Sequence, residues 1–136
     1  MIESEHKQAA LSNLRVLDLS QGITGPYCTK LLAGFGADVV KIEPPGGDYL
    51  RHRGPFAGKQ PGVERSLPFA WFNTGKKSLV LDLYNKPDDI REFKRLVAQA
   101  DVVIEDFGYG RMVKLGLDYM TLSQINPRLV MTSISN

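Results

Sequence analysis

Apolar and polar positions fall into blocks that read as strand, helix and strand from Val16 onward. Val16-Leu17-Asp18-Leu19 is a short apolar run of strand length. A polar, glycine-bearing turn from Ser20 to Pro26 follows. Leu31, Leu32 and Phe35 then recur at helical spacing. Pro26 is expected at the first helical position, where its missing N–H would have no intrahelical partner, and Gly36 as a left-handed cap. Val39, Val40 and Ile42 make a second strand, stopped by Glu43-Pro44-Pro45-Gly46-Gly47. The result is a βαβ unit, whose crossover is nearly always right-handed and whose strands are parallel.

Further along, Pro44 to Pro68 is rich in glycine and proline and carries Arg51, His52, Arg53, Lys59 and Arg65. It reads as a long basic loop without structure of its own, a kind that is usually functional or disordered. Phe69-Ala70-Trp71-Phe72 is expected to pin that loop to the core. Lys77 to Leu83 reads as a third strand, and Asn85 as the cap of the next helix, with Asp88 and Asp89 in its first turn. Ile90, Phe93, Leu96 and Val97 mark that helix's apolar face. Asp101 to Glu105 is a fourth strand, Gly108 and Gly110 bracket a tight turn, and Met112 to Gly116 and Thr121 to Ile125 are short helical pieces. Leu129 to Ile134 is a fifth strand. Alternating strands and helices predict an α/β fold, a Rossmann-like parallel sheet flanked by helices. Residues 1–10 read as a loose polar leader, and 11–136 as the folded segment.

A length of 136 residues suits one domain. The net charge of +2 gives no reason to expect nucleic acid or a membrane as partner. No apolar run approaches membrane-span length, and residues 1–8 lack the apolar core of a signal peptide, so a cytoplasmic protein is expected. Cys28 is the only cysteine and reads as a small core residue. His6 and His52 have no partnered nucleophile, and no ligand cluster for a metal is visible. Asp18, Asp82 and Glu105 sit at strand positions and read as structural carboxylates. The turn from Gln21 to Gly25 offers N–H groups at a helix start for a phosphate or carbonyl oxygen. Arg51, Arg53, Lys76 and Lys77 are candidate phosphate contacts.

The wording of the chain resembles the N-terminus of the class III CoA-transferases, the family of formyl-CoA transferase, the carnitine/crotonobetaine CoA-transferases and the 2-methylacyl-CoA racemases. The carrying pieces are Arg15-Val16-Leu17-Asp18, Gly25-Pro26-Tyr27-Cys28-Thr29, Gly36 to Glu43, Pro44-Pro45-Gly46-Gly47-Asp48, Asn73 to Leu79, Leu81-Asp82-Leu83, Leu115-Gly116-Leu117 and Asn126 to Val130. They run in order to the chain's end. The resemblance implies a homodimeric enzyme with acyl-CoA as substrate, either a transferase that moves CoA between carboxylic acids through an acyl-aspartate or a 2-methylacyl-CoA racemase, branches that this segment does not separate. It implies CoA contacts at Ile23 and Thr24, at Leu81, Asp82, Leu83 and Tyr84, at Asp106, Phe107 and Gly108, and at Lys114. Asp106 stands where the family usually has Asn, Tyr109 where it has Pro, and Pro44 where some members carry Arg. The acyl-accepting aspartate lies later in the family, so this segment is expected to hold no catalytic residue and to be about the first third of a member.

Two other readings stay open on the residues alone. Glu43, about twenty residues after the first glycine turn, stands where a nicotinamide-binding domain keeps its ribose-binding acid. A non-catalytic segment that assembles with a partner chain is the other.

Overall fold

The computed structural model describes residues 9–135. Its opening unit is β1 (Arg15–Asp18), α1 (Thr24–Gly34) and β2 (Asp38–Glu43). The two strands are parallel, with Val16 opposite Val39 and Leu17 opposite Val40. Alternation of side chains along β1 sends Leu17 into one apolar cluster and Val16 into the other. The helix begins two residues before Pro26, yet the same physics holds, since none of its first four N–H groups has an intrahelical partner. Gly36 takes a φ of +100° and its N–H reaches the Ala33 carbonyl at 2.9 Å. Any Cβ there would overlap Ala9, so only glycine lets the chain pass. Of the expected leader, residues 1–8 lie outside the described residues, and the Ala9 carbonyl accepts from the Ser12 N–H at 3.1 Å.

The remaining elements are α2 (Leu67–Phe72), β3 (Lys77–Val80), α3 (Pro87–Val97), β4 (Val102–Glu105), α4 (Arg111–Lys114), α5 (Tyr119–Ile125) and β5 (Val130–Ser133). All strand pairs are parallel, in the order β3-β2-β1-β4-β5. The chain therefore builds outward from β1 on one side, then returns to build on the other. The crevice beyond the ends of β1 and β4 is the switch point where such sheets bind ligands. The larger cluster joins Leu17, Leu19, Ile42 and Val103 to Phe93 and Val97 of α3 and Leu122 of α5. The smaller one joins Val16, Val39 and Ile104 to Leu32 and Ala33 of α1. The sheet is thus flanked by helices as expected.

Two expectations about the end of β3 and the start of α3 are corrected. Strand β3 stops at Val80, because Asp82 turns the chain by accepting from the N–H groups of Tyr84 and Asn85 at 3.2 and 3.0 Å. Asn85 does not cap α3; its amide reaches back to both Asp82 oxygens at 3.1 Å, and Lys86 holds the cap position. Asp88 and Asp89 do fall in the first turn of α3, as expected.

The basic stretch is also built, not structureless. Asp48 caps a short 3₁₀ turn (Tyr49–His52), accepting from the Leu50 N–H at 2.8 Å. Ser66 caps α2, accepting from the Phe69 N–H at 3.2 Å. The aromatic run does not reach the core. Trp71 stacks on Tyr27 of α1 with ring centres 5.7 Å apart, and Lys30 lies over its ring at 3.3 Å. A six-residue helix lying outside α1 buries none of its residues, so these rings tie the loop to the outer face of α1. Cys28 is exposed on that helix and not a core residue.

One expected result arises here. Asp118 caps α5 through the Thr121 N–H (3.2 Å) and Thr121 Oγ1 (2.8 Å). Asp118→Ala removes both acceptors and should cost about 1 kcal/mol in urea unfolding, the usual value of a lost N-cap. An unchanged midpoint would mean that α5 is held by the packing of Leu122 alone.

Candidate functional site

The switch-point crevice is floored by the turn between β1 and α1. Three consecutive N–H groups of that turn each go to a different carboxylate. Ser20 donates to Asp18 Oδ1 at 3.0 Å, Gln21 to Asp106 Oδ2 at 2.9 Å, and Gly22 to Asp48 Oδ2 at 3.1 Å. Two buried cations offset part of the cluster's charge. Lys41 Nζ lies 2.9 Å from Asp48 and 2.7 Å from the Ser20 carbonyl. Lys76 Nζ lies 2.9 Å from Asp18 and 2.8 Å from Asn73 Oδ1. Burial holds the Lys76 ammonium below its ordinary pKa, against the pull of Asp18. The N–H groups of Gln21 and Gly22 are therefore not free for a phosphate, which corrects the expectation for this turn.

The basic candidates are corrected in the same way. Arg51 is bound to Glu43 by two hydrogen bonds of 2.7 and 2.8 Å, and to Glu64 at 2.8 Å. Glu43 also accepts from Ser78 Oγ at 2.5 Å and from the Asp48 N–H at 2.8 Å. Burial alone would raise the Glu43 carboxyl, but Arg51, Ser78 and the Asp48 N–H outweigh it and hold the pKa at about 2. Lys77 pairs with Asp38 at 2.6 Å. Of the four named cations, Arg53 alone is in no ion pair among the described residues.

The family-matched residues lie along the same edge. Ile23 and Thr24 open α1 and line a cleft of about 470 Å³ with Gln21, Tyr49, Asp106, Gly108 and Tyr109. Burial raises the pKa of Asp106, and the Gln21 N–H works against it. Leu81, Asp82 and Leu83 are buried just past β3, while Tyr84 is 52% exposed. Asp82 is committed to its own turn; burial would raise its pKa, and the hydrogen bonds from Asn85 and Tyr84 lower it instead. Leu83, Tyr84 and Lys114 line a second cleft of about 450 Å³ with Lys86, Ile90 and Arg91. Between the two clefts lies a narrow gap whose walls include Gln21, Leu81, Leu83, Tyr84 and Phe107. The rings of Tyr84 and Phe107 are 6.1 Å apart there. The structure thus strings the matched residues other than Asp82 along one edge; Asp82 lines none of the three clefts, and its N–H donates to Asp89 at 2.7 Å.

Asp18, Asp82 and Glu105 are structural, as expected, Glu105 accepting from the Phe107 N–H at 2.7 Å. His52 Nε2 sits 3.0 Å from the Gly46 carbonyl, and His6 lies outside the described residues. Among the described residues no group of three or more His, Cys, Asp or Glu side chains is placed to hold a metal, and no helix is long and apolar enough to cross a membrane. Tyr49, Lys86 and Arg91 line the clefts without having been singled out from the sequence. Only the register of the folded loop and of α3 brings them to this edge.

This doubly wound parallel sheet is shared with solved relatives. A CaiB/BaiF family protein from Brucella suis superposes with a TM-score of 0.83 at 38% identity, over 93% of this chain and 33% of that one. The family model for CoA-transferase family III matches residues 11–136, and the chain belongs to that family. It is 49% identical over 125 residues to a succinyl-CoA:mesaconate CoA-transferase of Haloarcula hispanica, covering 92% of this chain and 31% of the relative. It is 40% identical over 126 residues to a formyl-CoA:oxalate CoA-transferase of Bradyrhizobium diazoefficiens, covering 92% of this chain and 28% of the relative. The chain spans about a third of the length of the relatives it matches.

Proposed function

We propose that this edge holds a CoA thioester and that the chain is the CoA-binding part of an enzyme that moves CoA between carboxylic acids. The observation that carries the reading is the placement of Leu83, Tyr84, Phe107 and Lys114, four family-matched positions, around one continuous crevice. Charge sets the direction of the ligand. Asp18, Asp48 and Asp106 outnumber Lys41 and Lys76 beneath the first turn, which disfavours phosphate there. Lys86 and Lys114 line the other end together with Arg91, which is paired with Asp88. The 3′-phosphate of the nucleotide therefore goes toward Lys114 and the adenine toward Leu83 and Tyr84, while the pyrophosphate, which links adenosine to pantetheine, lies on the way to the pantetheine arm and acyl group at Ile23 and Thr24. The acyl-accepting aspartate and the homodimer come from the family resemblance, and a cytoplasmic setting from the sequence pattern. A nicotinamide reading is disfavoured, because the Glu43 carboxylate is already engaged by Arg51, Ser78 and the Asp48 N–H.

Asp106 provides the test. An asparagine oxygen keeps the Gln21 N–H bond, adds a donor, and removes a negative charge from the cleft. In calorimetric titration with CoA, Asp106→Asn should bind about three- to tenfold more tightly than wild type, the range of one gained hydrogen bond. Burial raises the Asp106 pKa, so wild-type affinity should itself improve as pH falls and the carboxyl is neutralised. An Asn variant that binds no better, or a wild type that takes up no CoA, counts against the reading.

A further inference from the structure

Tyr49 occupies a place in the crevice that the sequence did not single out. Its ring is half-exposed and lies over Gly22, so closely that any Cβ at Gly22 would overlap the phenol oxygen. Gly22 has a φ of +75°, and with no side chain it leaves that space open. Tyr49 Oη has no hydrogen-bond partner among the described residues, and the side chain lines the same cleft as Gln21, Ile23 and Thr24. Both the residue and the turn beneath it hang on one carboxylate. Asp48, fully buried, caps the 3₁₀ turn that begins at Tyr49 and accepts from the Gly22 N–H, while Lys41 holds Asp48 from below.

We propose that Tyr49 donates its phenol hydrogen to a neutral carbonyl on the pantetheine–thioester arm of the ligand, and that Asp48 is the residue that positions it. The proposal rests on the CoA reading and adds to it a contact and its support. A neutral acceptor fits this place because the carboxylates under the turn disfavour an anion. Such an acceptor comes from two parts of the ligand, the pantetheine amides and the acyl carbonyl. Asp48 acts through geometry: it fixes the Gly22 turn and the start of the Tyr49 turn against each other, so the hydroxyl stands over the cleft without a search.

Titration of CoA and acetyl-CoA into wild type, Tyr49→Phe, Lys41→Met/Asp48→Asn and the triple variant tests both halves. The double substitution removes the lysine charge along with its partner, leaving no buried ion unpaired. Tyr49→Phe should keep the wild-type melting temperature and weaken binding about three- to tenfold, as expected for one neutral hydrogen bond. Loss with both ligands assigns the acceptor to the pantetheine amides, and loss with acetyl-CoA alone assigns it to the acyl carbonyl. Lys41→Met/Asp48→Asn should weaken binding and speed hydrogen exchange at the Gly22 amide. In the Tyr49→Phe background it should weaken binding no further, because a positioning effect has nothing left to position. A wild type that binds while Tyr49→Phe binds both ligands equally well overturns this proposal alone. A wild type that binds neither ligand overturns the CoA reading with it.

Discussion

Asp18→Ala is expected to lower the unfolding free energy by about 3–5 kcal/mol, the usual cost of stranding one member of a buried ion pair. Asp18 is fully buried and accepts from Ser20 N–H, Ser20 Oγ, Thr29 Oγ1 and Lys76 Nζ. Removing it leaves the Lys76 ammonium facing only the Pro26 carbonyl and Asn73 Oδ1, both at under 3 Å. Neither neutralises a charge. Urea unfolding followed by circular dichroism reads the loss directly. Adding Lys76→Met to the alanine variant should restore part of it, since no unpaired ammonium then remains. An Asp18→Ala protein as stable as wild type would show that water reaches Lys76 and that the pair is dispensable.

The second large effect is an acid limb in the stability curve. Glu43 has its pKa lowered from 4.5 to about 2. A carboxyl depressed in the folded state stabilises it fully above its unfolded value and loses that contribution as pH falls toward the folded one. The stabilisation is thus complete above pH 4.5 and fades between 4.5 and about 2. A shift of this size corresponds to roughly 3 kcal/mol. Glu43→Gln should be less stable at neutral pH and should show a flatter decline across that window. Parallel acid limbs in wild type and variant would place the titrating group elsewhere.

Much of this fold is legible because its strands are short apolar runs and α3 repeats its apolar residues at helical spacing. The pattern fails where contacts across the fold decide. Lys76 reads as a phosphate contact beside Lys77, and only folding brings it to Asp18, 58 residues earlier. Arg51 reads as a phosphate ligand because Glu43 is screened from it in sequence by four prolines and glycines. The loop from 44 to 68 looks structureless for the same reason: Asp48, Glu43 and Ser66 hold it by hydrogen bonds to distant backbone and side chains. Cys28 reads as a core residue because Tyr27 and Leu31 beside it are apolar, yet both stand on the outer face of α1. In the candidate site, the family resemblance implies Tyr84, Phe107 and Lys114, and the fold brings these three to one edge. No motif pointed to Tyr49, whose place depends on the capped turn and on the open space at Gly22.

The strand order has a consequence for how the molecule is made. Strand β1 pairs with β2 soon after it in sequence, but its other neighbour, β4, begins 86 residues further on, with Val16 opposite Val102. A chain synthesised from its N-terminus, at about 5–20 residues per second, carries β1 for several seconds with one side of its ladder open. The β1-β2-β3 half can assemble in that time from nearer contacts. The seam between β1 and β4 closes only across the longest loop in the sheet, where the entropy of closure is greatest. The crevice that the seam creates therefore forms later than the β1-β2-β3 half of the sheet.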